Sequence, residues 1–481
     1  MKNLLLAHGD SDFLVKILIN LTKKFPNKFT LTSIFSHRDL DLYRRFNFIN
    51  LKDLYSERSE IDNNYFYALN GNEISYFKKE CFYDFTNQLD RLSIFPNSTQ
   101  SNIDLFYRVL SFFLSYLKNK KINSVIFQTT PHMGFDYILF HVAKFLKIKT
   151  IIFFRTYYQD KILIADDYRI QKIFFVKNPN CSKNFNDTKY KISTWGQIAK
   201  EINTKVHRPF FIGFFNFLLL LLKKIYYIYF LKQFHSASAL NQINFFQFLF
   251  LNFKHLFKTY FLMKFYENIS VNSFNLKKKK LFFALHNQPE KTTQPEGQNF
   301  DFQYNAIKFL SSNLPKDYII LIKEHPKQLN PYSADLRQLH FRDKFFYKKI
   351  LNLKNCHFVS LKINSEKLIK ESKIIATVTG SVAWESLTLN RPSISFSNTW
   401  HSDCKSSPLI NKENFFKIIK MLEKKKEIDV VNDKNLFINK IKSKFFHTVI
   451  SDFEYKKSPS NKNLLRTNME LALKNILIKN Y

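Results

Sequence analysis

Apolar residues fall into short runs separated by stretches that recur at helical spacing, and this rhythm predicts most of the architecture. Asn3 to Ala7 reads as a buried strand. His8-Gly9-Asp10-Ser11 is the turn after it, and about Asp12 to Lys24 is a helix with Phe13, Ile17, Ile19 and Leu21 among its apolar positions. Thr30 to Phe35 follows as a strand and Asn102 to Leu117 as a helix. The stretch from Asp39 to Asn97 is polar, aromatic and poorly periodic, and it predicts no definite element. Ser124 to Gln128, Asp136 to Leu146 and Thr150 to Phe154 then read as strand, helix and strand within about thirty residues, the spacing of a parallel crossover unit.

The second half repeats the pattern. Leu281 to Leu285, Asp317 to Lys323, Cys356 to Leu361, Ile374 to Val378 and Ser393 to Phe396 are expected strands. Phe302 to Leu314, Ser365 to Ser372 and Val382 to Leu389 are helices between them, which together predict a doubly wound parallel sheet. The Gly-free residues from about 402 onward are charged and helical and are expected to pack back across both domains.

Between the halves the character changes. Phe210 to Leu222 is a run of thirteen residues flanked by Pro209 and Lys223-Lys224, apolar except for Asn216. Ile225 to Leu231, Phe245 to Leu251 and Tyr260 to Met263 continue the theme, with Lys223, Lys224, Lys232, Lys254 and Lys258 between them. Spanning a bilayer takes about twenty residues, so the length argues against a span. Two readings remain open. Aromatic helices punctuated by lysine suit an anionic membrane surface, with rings at headgroup depth. A helical hairpin packed on the protein's own core explains the same pattern.

Length predicts two domains, and 45% hydrophobic content with 55 Phe and only 7 Gly predicts a globular chain. A formal net charge of +35 suggests phosphate partners. The basic residues are spread along the whole chain, however, so no nucleic acid is expected as a partner; anionic lipid or a phosphorylated sugar fits better. Cys81, Cys181, Cys356 and Cys404 form no C-x-x-C pair, which predicts neither a disulfide framework nor a zinc site. The apolar run at the start meets His8 and Asp10 too early for a signal peptide, so the expected location is cytoplasmic, peripheral on the inner face of the inner membrane under the membrane reading.

Chemistry concentrates where predicted strands hand over to helices. Thr379-Gly380-Ser381 sits between a strand and the helix from Val382. A helix start offers unpaired N–H groups, and glycine admits an anion close to the backbone. Simple capping by Ser381 explains the triplet as well. Glu385 is one turn beyond Ser381, not at the capping-box position, and is placed to accept hydrogen bonds from a ribose. In Lys323-Glu324-His325-Pro326, Pro326 ends the ladder and biases His325 to an extended backbone at the strand's carboxyl end. A histidine there can bind phosphate or donate a proton to a departing phosphate oxygen. Lys323 and Glu324 are expected either to contact ligand or to pair with each other. In the first half His132 and Asp136 follow a strand's carboxyl end, where ligands of open sheets collect. A loop histidine capping its own backbone is the alternative for His132.

These pieces, in this order and spacing, resemble the capsular polysaccharide biosynthesis glycosyltransferases of the GT-B fold, related to the β-Kdo transferases. The match runs from about His286 to Trp400. It comprises Gln288-Pro289-Glu290 with Thr292-Thr293, Lys323-Glu324-His325-Pro326, Thr377-Val378-Thr379-Gly380-Ser381 leading to Trp384-Glu385, and Asn390-Arg391-Pro392. The family often has Gly-Thr-Ala-Gly where this chain has Gly380-Ser381-Val382-Ala383, its Phe-Gly is Phe396-Ser397 here, and its aromatic after Trp is His401. The resemblance implies an α/β protein of two Rossmann-like domains facing a cleft, with an aromatic-rich helical segment between them. Expected boundaries are 1–205, 206–276, 277–410 and a helical 411–481. It implies donor phosphate contacts from His325 and Ser381, a ribose contact from Glu385, and a cleft lined by Gln288, Glu290 and Thr293, beside Lys323, Glu324, Thr379 and Gly380. Asp10, His132 and Asp136 are the first domain's candidate acids or bases, by position. The reaction implied is transfer of a sugar from a nucleotide-sugar donor, a CMP-linked acidic sugar before a UDP-sugar, to a surface or capsular polysaccharide or its lipid-linked primer. No metal and no cofactor beyond that co-substrate are expected. A nucleotide-sugar epimerase of the same architecture and a non-catalytic polysaccharide assembly or export component are the rival expectations.

Overall fold

The computed structural model of the chain describes residues 1–36, 43, 46–55, 65–95, 97–169, 209–230, 244–273, 277–333 and 335–478. Cys181, Lys232 and the expected boundaries at 205 and 276 lie outside them. The chain forms two compact units, one built from described residues within 1–195 and 441–478, the other from those within 196–235 and 242–440.

In unit 1, β1 (Lys2–Leu6), β2 (Phe29–Ser36), β3 (Asn47–Asn50), β4 (Ile122–Phe127), β5 (Lys149–Arg155) and β6 (Lys161–Ala165) join a short strand, Phe446–His447. They make one 7-stranded sheet in the order Phe446–His447, β6, β5, β4, β1, β2, β3. Pairing is parallel from β3 through β5 and antiparallel at β6 and Phe446–His447. The order reverses between β1 and β4, which makes their carboxyl ends the topological switch point of a Rossmann-like sheet. Helix α1 (Asp12–Lys24) and the helix Lys462–Ile478 cover one face. Phe13, Leu14 and Ile17 meet Leu465, Met469, Leu473 and Ile476 there against Leu4, Leu6 and Ile126 of the strands. On the other face α2 (Thr99–Asn119) and α3 (Phe135–Phe145) bring Phe112, Tyr116 and Phe140 against Phe35 and Phe127.

Unit 2 begins with two helices. α4 (Phe210–Ile225) continues through a π turn, Tyr226–Phe230, and α5 (Phe245–Ile269) follows. The thirteen-residue run therefore belongs to a longer helix. Over Phe210–Tyr229, 20 residues, that helix is long and apolar enough to cross a bilayer, because Ile225 to Tyr229 extend the apolar stretch past the lysine pair. α5 is tied into the unit's core. Tyr266 donates its hydroxyl to the Val359 carbonyl at 2.8 Å and accepts the Glu324 N–H at 3.0 Å.

The sheet of unit 2 comprises β7 (Lys279–Ala284), β8 (Tyr318–Lys323), β9 (Cys356–Phe358), β10 (Ile374–Thr377) and β11 (Ser393–Ser395). All five are parallel, in the order β11, β10, β7, β8, β9. Alternate side chains feed two cores. Leu281, Phe283, Ile320, Ile322 and Ala376 enter one, and Phe282, Leu321 and Ile375 enter the other. A parallel sheet buried on both faces needs such continuous apolar runs, which is why these strands are legible in the sequence. The reversal here lies between β7 and β10. Both units are thus Rossmann-like α/β domains.

Candidate active site

Register brings three strand ends of unit 2 to one edge. Ala284 of β7 pairs with Lys323 of β8, and Phe283 with Ala376 of β10, so the loops after all three emerge side by side at the switch point. His286 stands at its centre, fully within the protein. Its Nε2 accepts the Thr379 N–H at 3.3 Å and lies 3.0 Å from Thr377 Oγ1. An N–H donor at Nε2 leaves the ring proton on Nδ1, which lies 3.2 Å from Thr292 Oγ1, and that hydroxyl donates in turn to Glu290 Oε2 at 3.1 Å. Burial, reinforced by His325 and the Arg342 guanidinium nearby, pulls the His286 pKa down to about 3, so the ring is neutral and the relay is fixed in one direction. Burial also raises the pKa of Glu290, opposed by Lys327 and the hydrogen bonds from Thr292 and Asn287.

Gly380 serves this relay. Its N–H donates to Thr377 Oγ1 at 3.1 Å, and a Cβ there would stand 2.5 Å from the same oxygen and 3.3 Å from the His286 ring. The close approach that requires glycine is therefore to the protein's own side chains. Thr379 donates its hydroxyl to the Thr292 carbonyl. Ser381 departs from the expected N-cap of α6 (Val382–Thr388). It is helical itself, makes no cap hydrogen bond, and donates its hydroxyl to Glu385 Oε1 at 2.8 Å. Glu385 is exposed, so this Ser381–Glu385 pair faces solvent.

His325 follows β8 with φ −68° and ψ 125°, the extended backbone expected before Pro326. Its Nδ1 accepts the Lys327 N–H at 3.2 Å, which puts the ring proton on Nε2. Burial and the charges of Lys327 and Lys323 lower its pKa to about 4. His325 is thus a neutral ring whose Nε2–H makes no hydrogen bond among the described residues.

The neighbours of His325 are occupied elsewhere. Glu324, wholly buried, takes Arg342 Nε and the Tyr347 hydroxyl on Oε2, each at 2.9 Å, and the His325 N–H on Oε1 at 2.8 Å. Lys323 turns to the Ile363 carbonyl at 2.6 Å and Ser365 Oγ at 3.2 Å. The two do not pair: strand alternation sends adjacent side chains to opposite faces. Gln288 and Thr293 hold each other at 2.7 Å, and Thr293 also donates to the Glu290 carbonyl. Of the residues expected to meet a donor, His325, Ser381, Glu385 and Glu290 keep exposed or partly exposed polar groups at this edge. Lys323, Glu324, Gln288 and Thr293 are buried and shape it from behind.

In unit 1 the switch point holds a residue that sequence reasoning missed. His8, one residue beyond Ala7 at the end of the β1 run, places Nε2 2.8 Å from Asp136 Oδ2 at the start of α3. Asp136 is also the acceptor for the backbone N–H groups of His132 (2.9 Å) and Met133 (2.6 Å), so it closes the β4–α3 loop as well. Burial raises the Asp136 pKa, but the hydrogen bond and charge of His8 outweigh it and the net shift is down. Burial alone lowers the His8 pKa; the Asp136 bond and charge, with Asp10 behind them, lift it above 6.5. His8 Nδ1 makes no hydrogen bond among the described residues. His132 places Nδ1 2.7 Å from the Thr130 carbonyl, the local contact weighed as its alternative. Asp10 accepts from Ser36 Oγ at 2.7 Å. The β1–β4 adjacency was the signal that would have singled out His8, and it is visible only in the strand order.

No protein-family model matches the sequence, nor does any curated protein. Among solved structures, the chain aligns with a Thermosulfurimonas dismutans KpsC β-Kdo 2,7 transferase at 7% identity and TM-score 0.32, over 85% of this chain and 84% of that one. It aligns with the Methanocaldococcus jannaschii UDP-GlcNAc 2-epimerase bound to UDP-GlcNAc and UDP at 12% identity and TM-score 0.26, over 89% and 94%. A trehalose-6-phosphate synthase aligns at 11% identity and TM-score 0.29, over 94% and 97%. Overlaps of this size leave the chemistry to be read from the chain's own residues.

Proposed function

We propose that the chain is a glycosyltransferase of the GT-B type, using a nucleotide-sugar donor, CMP-linked or UDP-linked, and a surface polysaccharide or its lipid-linked primer as acceptor. The observation that carries this reading is His325: a neutral imidazole, its tautomer fixed, with Nε2–H unspent at the carboxyl end of a strand beside a switch point. A leaving phosphate needs such a donor, preorganised and uncharged until the bond breaks. Ser381 and Glu385 complete the polar edge and suit the phosphate and ribose of the donor, as the family resemblance implies.

In the reaction, the acceptor oxygen bonds to the anomeric carbon while the bond from that carbon to the phosphate oxygen breaks. The electron pair leaves with the nucleotide, whose new charge His325 meets with its hydrogen bond. The acceptor's proton is lost to a general base as the new bond forms.

The test is transfer of isotope from a panel of CMP- and UDP-sugars to lipid-linked acceptor, comparing wild type with His325→Ala. Loss of transfer and of donor hydrolysis in the variant is expected. Equal transfer by the two proteins would remove His325 from the mechanism, and epimerised donor appearing without acceptor would replace transfer with epimerisation.

A further inference from the structure

α4 and α5 each bury one face and expose another that is apolar. On α4, Gly213, Phe217 and Leu221 recur every four residues and pack inward. A Cβ on Gly213 would stand 2.2 Å from the Tyr332 ring, Phe217 meets Phe253 of α5 at 5.7 Å between centroids, and Lys224, partly buried, feels the charge of Asp335. The opposite side presents Phe211, 85% exposed, with Phe215 and Leu222. On α5, Phe246, Phe250, Lys254, Phe257, Phe261 and Lys264 step by three and four residues along one stripe, and all six are exposed.

Charge says what covers this surface. From residue 202 to residue 266 the chain contains no Asp or Glu, although it has 39 of them overall. Exposed phenylalanines interleaved with exposed lysines and no carboxylate match a layer that is apolar beneath and negative on top. We infer that α4 and α5 form a two-helix foot that lies in the plane of an anionic membrane, with Phe211, Phe215, Phe250 and Phe257 among the side chains inserted and Lys254 and Lys264 among the headgroups. A spanning α4 is disfavoured although its length suffices, because crossing the bilayer would strip Gly213 from Tyr332 and carry Lys224 away from Asp335. A peptide or protein partner of ordinary composition would meet the lysines only where it was acidic, and the phenylalanines would then lack an apolar counterpart.

This inference does not rest on the enzymatic reading, and its test needs no substrate. The full chain is mixed with vesicles of phosphatidylcholine alone or with phosphatidylglycerol added, at low and high salt, and floated. Flotation with the anionic vesicles at low salt is expected, reduced by salt and by omitting the anionic lipid. The combined substitution of Phe211, Phe215, Phe250 and Phe257 by Ser should weaken it by about ten-fold or more. Because that variant removes only exposed rings, an unchanged thermal melt is expected; the pair Lys254→Glu and Lys264→Glu gives a second reading that leaves the rings in place and should also lower binding. Wild type remaining at the bottom at low salt would overturn the proposal. So would flotation unaffected by both variants, release from vesicles only by detergent, which marks a span, or a dimer in solution that the Ser variant dissolves while lipid is ignored.

Discussion

His8 Nε2 and Asp136 Oδ2 stand 2.8 Å apart although 128 positions separate them in the chain, and Asp136 is wholly buried. The hydrogen bond and charge of Asp136 lift the His8 pKa, and His8, with His132 behind it, pulls the Asp136 pKa down. Asp136→Asn should leave burial as the dominant influence and drop the His8 pKa below 6.5. Imidazole titration by NMR checks this expectation.

The same pair sets a stability window. A raised His8 pKa contributes stability that is full below 6.5 and fades as pH rises through the raised value, while the lowered Asp136 pKa contributes stability that fades as pH falls below 3.8. Asp136→Asn removes both contributions and leaves a buried His8 whose lowered pKa costs stability as pH falls below 6.5, so its melting temperature should fall, and fall furthest behind wild type at mildly acid pH.

Unit 2 should be sensitive to mild acid. His286 and His401 are both buried, with pKa values lowered to about 3, so below 6.5 the unfolded chain takes up protons that the folded unit refuses. At one pH unit below 6.5 each should cost about 1.4 kcal/mol of stability relative to neutral pH. Thermal melts at pH 7.5 and 5.5 measure this, and His401→Gln should reduce the difference.

Glu324 and Lys323 separate by consequence. Removing the buried carboxylate in Glu324→Ala strands Arg342 and the Tyr347 hydroxyl, and the expected loss is about 3–5 kcal/mol. Lys323→Met trades two hydrogen bonds for apolar burial and should cost less, about 1–2 kcal/mol. Denaturant unfolding of the two variants should rank them in that order.

Gly380→Ala puts a methyl group 2.5 Å from Thr377 Oγ1. Thr377 and His286 must shift, at about 1–3 kcal/mol, and the Thr379 and Thr292 contacts move with them. A lowered melting temperature together with a raised KM for the donor is expected, whereas Ser381→Ala should raise KM with little change in melting.

Which of these features can be read from the sequence follows from how local each is. β1, β4, β5 and the five strands of unit 2 announce themselves through short apolar runs, clearest in β7 and β8, because strands buried on both faces are largely apolar. β3 and β6 do not. Asn47–Asn50 lies at the sheet's edge inside a polar, aromatic stretch, and β6 runs antiparallel to its neighbours, outside any βαβ rhythm. Ser381 and Glu385 are visible as an i, i+4 pair, and their mutual hydrogen bond follows from helix geometry once Ser381 is helical. His8 is invisible, since its meaning comes from β1 lying beside β4. The Glu324–Arg342 pair and the His286–Thr292–Glu290 relay are hidden for the same reason: loops meet there that only the register of the sheet aligns.

The helix Lys462–Ile478 fills one face of the unit 1 sheet with Leu465, Met469, Ala472, Leu473 and Ile476, beneath strands drawn from residues 2–165. A ribosome makes those residues only after all of unit 2. Until then the apolar underside of β1, β4 and β5 is without its cover, while the core of unit 2, drawn from residues 262–422, is already complete. During synthesis the second unit therefore finishes first, and the first is the one that waits exposed for chaperones to hold.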